Sequence, residues 1–396
     1  MIIVLTNEKD EIFHETPHTF TPIKNGINIV DDAFWWNRSG NKKIDLCDLA
    51  GRSSSLANRG VYPRHNFAHF DTFTHFRVVL LFNSNIYELC QRNLVCLLSK
   101  RYPIYSIKTI EMFNVNITKY YIEALIYKNK IDVLEYLKNH KIKLLHDVPN
   151  AMDIASYSDC TDVLDWWKNS GLPLKYSESS LGIASALGNV NILEWWKNSG
   201  LPLKYSKIPV DDGSLNGHVN VLDWWFNSGL KFKYSERALD WASARGYVNV
   251  LDWWFNSGLK FKYSERALDW ASARGYVNVL EWWFNSGLEL KYTDKAIQFA
   301  SSNHMFNSLE WWKNSGLPLK YNESFLHLQW MTESEYIDIL EWWKNSGLPL
   351  TYDKVDYVLD DLYILGAKKS LRWWKQSGLP LKYPNLITRL YINLFV

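Results

Sequence analysis

The sequence predicts a mainly α protein, an α-solenoid of stacked helix-turn-helix units joined to a small N-terminal domain of mixed or β character. Two observations predict the solenoid. A Trp-Trp pair returns at 166/167, 195/196, 224/225, 253/254, 282/283, 311/312, 342/343 and 373/374, so the starts lie 29, 29, 29, 29, 29, 31 and 31 residues apart. A fixed period in this range marks a stacked repeat array. Between the pairs, two short helical patterns alternate, bounded by capping residue types and glycines.

Composition narrows the function classes. Hydrophobic residues make up 47% and charged residues 22% of the 396, the balance of a folded chain. Of 21 Trp, sixteen belong to the eight pairs, two are Trp35 and Trp36, and the others are Trp241, Trp270 and Trp330. The net charge of +2, from 44 basic and 42 acidic residues, gives no global field to attract a polyanion, which argues against a general nucleic-acid partner. Cys47, Cys90, Cys96 and Cys160 form no CxxC pair and are expected as free thiols of a reducing compartment. The opening MIIVLTNEKDEIF meets acidic residues too early for a signal peptide, and no apolar run approaches the ~20 residues that span a bilayer. The expectation is a cytoplasmic protein with no membrane partner.

In chain order, residues 1–84 form the small N-terminal domain, with strands expected over Ile2 to Leu5, Ile27 to Val30 and Phe76 to Phe82 among turn-forming Gly and Pro. Residues 85–117 read as a helical junction or degenerate first repeat, with a helix from Asn85 to Lys100 that Pro103 ends. Residues 118–384 are the array, whose first unit has Leu134-Glu135-Tyr136-Leu137 where later ones have Leu-Asp-Trp-Trp. Residues 385–396 read as a closing helix. Residues 219–251 and 248–280 are identical, a tandem duplication without drift.

One unit runs from Ser235 to Gly258. Ser235 is a good N-cap type, as are Ser177, Ser206, Ser264, Thr293, Asn322 and Asp353 at the same place. The first helix has Ala238, Leu239, Ala242 and Ser243 as a small-residue face, and Gly246 closes it. The second has Val250, Leu251, Trp254 and Phe255 on one broad apolar face, ending at Gly258. The unit at 206–216 carries Pro209 and Gly213 and is expected to be the weakest.

Residues Leu239 to Gly258 resemble the core of an ankyrin repeat, with Ala242 at its small core position, Gly246 between the helices, Val250 and Leu251 at the paired valines, Trp253 to Phe255 at the leucines and Gly258 at the terminal glycine. Gly217-His218 keeps the family's Gly-His. The period is shorter than the family's 33 and its Thr-Pro-Leu-His is missing, so the hairpin finger is expected to be reduced. The variant is similar to the divergent ankyrin-like arrays of giant DNA viruses of amoebae. That resemblance implies a non-enzymatic protein-interaction scaffold recruiting a host or viral protein, in host cytoplasm if viral.

No P-loop, dinucleotide glycine cluster, GxSxG elbow or kinase signature occurs, so no catalytic residue and no cofactor are expected. The His-x-x-x-His spacings at His14/His18 and His65/His69 lack helical context and thiol partners, so no metal is expected. The Trp pairs read as packing: each buried indole removes ~150–250 Å² from water, an upper bound near ~4–6 kcal/mol. Asp223, Asp252 and Glu281 read as solvent-facing first-turn acids. Partner contacts fall to exposed positions of the first helix and linker, namely Arg237, Asp240, Arg245, Arg266, Asp269, Arg274, Lys231 and Lys260. The alternatives are a nucleic-acid-binding solenoid using a linker ridge of Lys175, Lys204, Lys231, Lys233, Lys260, Lys262, Lys291 and Lys320, or an adaptor whose N-terminal domain has its own activity.

Overall fold

The structure is a computed structural model. It describes six strands within residues 2–98 and then residues 102–157, 159–321, 332–348, 358–379 and 385–395. The chain forms two compact units, residues 1–183 with 191–204, and residues 184–190 with 205–396.

The first unit opens with β1 (Ile2–Thr6), β2 (Glu11–Phe13), β3 (Phe20–Pro22), β4 (Gly26–Val30), β5 (His75–Leu81), β6 (Leu94–Leu98) and β7 (Tyr102–Pro103). The sheet order is β1-β5-β6-β4, with β7 on β5, and β2 and β3 pair separately. All pairs are antiparallel; Ile3 lies opposite Val78, Leu80 opposite Leu97 and Ile29 opposite Val95. The three strands expected from sequence are β1, β4 and β5. The helix expected over Asn85 to Lys100 is corrected at its end, because Leu94–Leu98 is a strand bonded on both sides. A short apolar run fits either period, and pairing partners distant in sequence decide it. The Trp35-Trp36 pair, His14, His18, His65, His69, Cys47 and Cys90 lie outside the described residues.

Helices Lys119–Tyr127 and Ile131–Asn139 form the degenerate first unit. Thr118 caps it by accepting from the Tyr121 amide at 3.2 Å. Leu134 and Leu137 are buried where later units bury Leu and Trp.

The second unit is a stack of helix pairs: Ile208–Leu215 with Val219–Asn227, Arg237–Ala244 with Val248–Asn256, Arg266–Ala273 with Val277–Asn285, and Lys295–Ser302 with Phe306–Asn314. Glu333–Ser346, Val358–Ile364, Lys368–Gln376 and Leu386–Phe395 follow. This mainly helical repeat architecture agrees with the expected α-solenoid class. Each pair buries the Leu and the second Trp of its second helix, with Val221, Val250 or Val279 beside them in the first three pairs and Ser308 in the fourth; Val250, Leu251 and Trp254 are fully buried. The first helices meet through Ala238, Ala242, Ala267, Ala271, Ala296 and Ala300, all buried, so their backbones approach closely.

Polar seams run between successive pairs. The second Trp reaches the first helix of the preceding pair: Trp254 Nε1 donates to Ser214 Oγ at 3.1 Å, Trp283 to Ser243 at 2.9 Å and Trp312 to Ser272 at 2.8 Å. The first Trp donates to the acid before the preceding pair, Trp253 to Asp223 at 2.6 Å and Trp282 to Asp252 at 2.7 Å. These acids are therefore not first-turn acids; the helices Val219–Asn227 and Val248–Asn256 have none in that turn. The packing reading of the Trp pairs agrees with the geometry: the second ring of each of the eight is buried, and Trp253 meets Trp254 edge-on at 5.3 Å.

Gly246 takes φ +79° between the two helices, and a Cβ there would lie 2.9 Å from the Tyr276 ring. The helix Ile208–Leu215 is well formed despite Pro209, which sits in its first turn, where an amide has no intrahelical acceptor. A Cβ on Gly213 would sit 3.0 Å from Val221 Cγ1, so glycine there permits close packing. The closing helix Leu386–Phe395 buries Ile392 and Thr388, whereas Leu386, Ile387, Leu390, Leu394 and Phe395 are exposed.

Candidate functional site

Three consecutive first helices, Arg237–Ala244, Arg266–Ala273 and Lys295–Ser302, each carry a cation at their first position and an aromatic ring four residues on. On a helix that spacing puts the two side chains on one face. The pairs are Arg237 with Trp241, Arg266 with Trp270, and Lys295 with Phe299, and all six residues line one groove of ≈ 320 Å³. The cations are exposed, as is Trp270; Trp241 and Phe299 are half-buried. The Trp270 and Phe299 rings lie 5.8 Å apart at 37°. The Arg274 guanidinium lies 6.0 Å from the Trp270 ring and donates to the Ala244 carbonyl at 2.9 Å, tying its helix to the end of the previous one.

The groove also contains Glu265, Asp240 and Asp269. Asp240 accepts from the Ser264 amide at 2.8 Å and its hydroxyl at 2.6 Å, and Asp269 from Thr293 at 2.9 and 2.6 Å. Burial pushes both carboxyls above the usual range, against the downward pull of these bonds. They act as clasps between repeats. The expected caps work partly through them: Ser264 Oγ also accepts from the Arg266 amide at 3.3 Å.

The sequence-predicted partner residues separate accordingly. Arg237, Asp240, Arg266 and Asp269 meet in the groove; Asp240 and Asp269 are only 4% and 3% exposed, so their assignment as exposed partner contacts is corrected. Arg274 is engaged with Ala244. Arg245, Lys231 and Lys260 are exposed but do not line the groove. Sequence reasoning missed Trp241, Trp270, Lys295 and Phe299, whose signal is a cation and an aromatic at i and i+4, repeated every 29 residues.

Five of the linker lysines, Lys204, Lys233, Lys262, Lys291 and Lys320, are fastened within the array. Lys262 Nζ donates to the Tyr234 carbonyl at 3.3 Å and sits 4.1 Å from that ring, while Tyr234 Oη donates to the Lys260 carbonyl at 2.6 Å. Lys233 and Lys291 repeat this against Tyr205 and Tyr263, and Lys320 against Tyr292. Among the described residues no group of three or more His, Cys, Asp or Glu could hold a metal ion, and no helix is long and apolar enough to cross a membrane.

No family model matches the sequence, and no curated protein matches it. Among solved structures, the chain is similar to the pentatricopeptide repeat protein PPR10 in complex with an 18-nt psaJ RNA element, at 11% identity and a TM-score of 0.27. A cysteine-to-serine variant of that protein with the same RNA element matches with the same figures. Each match covers 69% of this chain and 50% of the other, so it spans half the length of those chains. A TM-score of 0.27 carries no argument about this chain. Both matched structures are RNA complexes of a repeat protein. The expectation of a protein-interaction scaffold, with nucleic acid argued against, is corrected on the geometry of its own residues: Asp240, Asp269 and Arg274, three of the eight assigned to protein recognition, hold the array together instead.

Proposed function

We propose that this chain is a nucleic-acid-binding helical repeat protein, and that the groove over the three first helices is its binding site. The observation that carries this reading is the cation–aromatic pair repeated on three consecutive helices and facing one groove. A polynucleotide presents one flat ring and one anion in every unit. A ladder of rings and cations at a constant step matches both features, whereas a peptide repeats neither. The ligand of the matched solved structures belongs to those proteins and is not the support.

The electrostatics suit a stacking-led site. Arg237, Arg266 and Lys295 supply three cations, but Glu265, Asp240 and Asp269 offset them, consistent with a net charge of +2 for the chain. Rings then provide the affinity, at ~1–3 kcal/mol per stacked base, and the cations fix the backbone. Relative to the linker lysines, this moves the site from the ridge to the helix face.

The test is fluorescence anisotropy with labelled homopolymer RNA and DNA at low salt, using the full chain. Trp270→Ala should weaken binding about ten-fold without changing the helical circular dichroism. With at most three phosphate contacts, the logarithm of the affinity should fall against log salt with a slope no steeper than about −2. Binding that is indifferent to Trp270 and Arg266 would remove the groove from consideration.

We also read the helix pair as an ankyrin-like variant. Gly246 at left-handed φ between antiparallel helices, small Ala242 and terminal Gly258 support this. An experimental structure in which the helices of one pair cross steeply would count against it.

A further inference from the structure

We propose that the outward face of the helix Leu386–Phe395 is an interface for a second copy of this chain, which packs on it across a two-fold axis. The helix is fixed on its inner side: Thr388 and Ile392 are buried, and Lys375 Nζ donates to the Ile392 carbonyl at 3.1 Å. Leu386, Leu390 and Leu394 recur at four-residue spacing on the opposite side, with Ile387 beside them. All four are between 50% and 71% exposed. A helix that is apolar all round is a buried helix, yet the outer side of this one is open among the described residues.

The register of the repeat shows what this face replaces. Counting from Gly378 as from Gly229, Leu386, Leu390 and Leu394 stand where Arg237, Trp241 and Arg245 stand in an inner unit. Those positions lie on the solvent side of the inner helix. A unit at the edge of a stack ordinarily presents polar side chains outward, which keeps it soluble; this one presents three leucines. The Tyr363 and Tyr391 rings, 4.9 Å apart, bring the end of the helix Val358–Ile364 alongside, and Ile364 and Leu365 there are exposed as well. The six apolar side chains expose on the order of 800 Å², the area one partner contributes to a standard-size interface and more than the ~300–600 Å² of the largest patch on an ordinary monomer.

The chemistry selects a second copy over other occupants. Across a two-fold axis a surface meets itself, so every charge on it would oppose its like. The leucine stripe carries none, and Arg389, the one charged residue of the helix, flanks it at the rim. A helix that docks on a membrane surface needs a cationic polar face, which a single arginine does not supply. Antiparallel pairing of the two helices places Leu390 against the partner's Leu390 at the axis, and Leu386 against the partner's Leu394. The interface does not involve the groove over the first helices, so it stands or falls apart from the nucleic-acid reading.

The experiment is sedimentation equilibrium of the full chain, with no nucleic acid present. An interface of this size should hold the dimer at about micromolar concentration or below, so the parent should show twice the mass of one chain. Leu390→Glu and Leu390→Lys, at an exposed position, should keep the helical circular dichroism of the parent, and each should weaken association about thirty-fold or more. Mixed in equal amounts, the two variants should associate again, because opposite charges then meet at the axis. A parent still monomeric at about 50 μM, a dimer indifferent to Leu390→Glu, or a mixture of the two variants that stays monomeric overturns the inference. So does a monomeric parent that floats with phosphatidylserine vesicles while Leu390→Glu does not, an outcome that makes a membrane surface the occupant.

Discussion

Trp283 Nε1 donates a 2.9 Å hydrogen bond to Ser243 Oγ, joining the second helix of one repeat to the first helix of the repeat before it. Both groups are buried. The bond lets an indole fill the core without leaving its N–H unpaired, which is what permits so many tryptophans in one interior.

The two members of a Trp pair should therefore respond differently to substitution. Trp283→Phe loses volume and leaves the Ser243 hydroxyl short of a partner, and is expected to cost about 2–4 kcal/mol. Trp282→Phe, half-buried and bonded to exposed Asp252, is expected to cost about 1 kcal/mol or less. Guanidinium unfolding of the two variants beside the parent decides this; equal losses would contradict the seam.

Asp240 and Asp269 set a pH dependence whose sign follows from burial. Their folded carboxyls titrate above the usual range, so the folded state holds these protons more tightly than the unfolded state. The stability they contribute is fully present below the ordinary carboxylate pKa of ~3.9 and is lost as pH rises through their raised values. Asp240→Asn removes one such titration. The unfolding free energy of the parent minus that of the variant should fall between pH 4 and pH 7, and a difference that grows over that interval would show that the bonds from Ser264 outweigh burial.

The linker lysines give a prediction that separates the ridge from the groove. Lys262→Met loses the contact with the Tyr234 carbonyl and ring and should lower stability by about 1 kcal/mol. Affinity for oligonucleotides should change less than two-fold, about the effect of a distant charge. A large loss of affinity with unchanged melting would restore the ridge as the binding surface.

Glycines at the two helix ends differ in what surrounds them. Gly246→Ala must hold φ +79° and push against the Tyr276 ring, at about 2 kcal/mol or more. Gly258→Ala, at φ +69° with nothing within 4 Å, meets the conformational cost alone, about 1 kcal/mol. Thermal melts of the two variants should rank in that order.

Much of this was legible in the sequence, because a packing seam must repeat wherever the repeat does. The Trp pairs announced the second helix, and Ser243 appeared as part of a small-residue face. What failed was the inference from polarity to exposure. Asp240 looks like a surface acid on its own helix, and only Ser264, 24 residues on, turns it inward. The linker lysines were periodic, and periodicity could not tell a free ammonium from one held on a tyrosine. Leu94–Leu98 fits a helical period in sequence, and the partners in β4 and β5 that make it a strand lie far away along the chain. The cation–aromatic ladder was present throughout at 237/241, 266/270 and 295/299, overshadowed by the stronger signal of the pairs.

In the 29-residue repeats from Asp211 to Thr293, the bonds between successive repeats join the same positions: Ser or Thr to the Asp 24 residues before, the first Trp to the acid 30 before, the second Trp to the Ser 40 before. Each of these repeats thus offers its successor the acceptors that it demands of its predecessor. A stretch of 29 residues copied in frame, wherever the cut falls, arrives with all its partners in place, as the identical residues 219–251 and 248–280 illustrate. The array can gain a unit in a single recombination without any compensating substitution, and each gain of a unit like Arg266–Ala273 would lengthen the ladder by one rung.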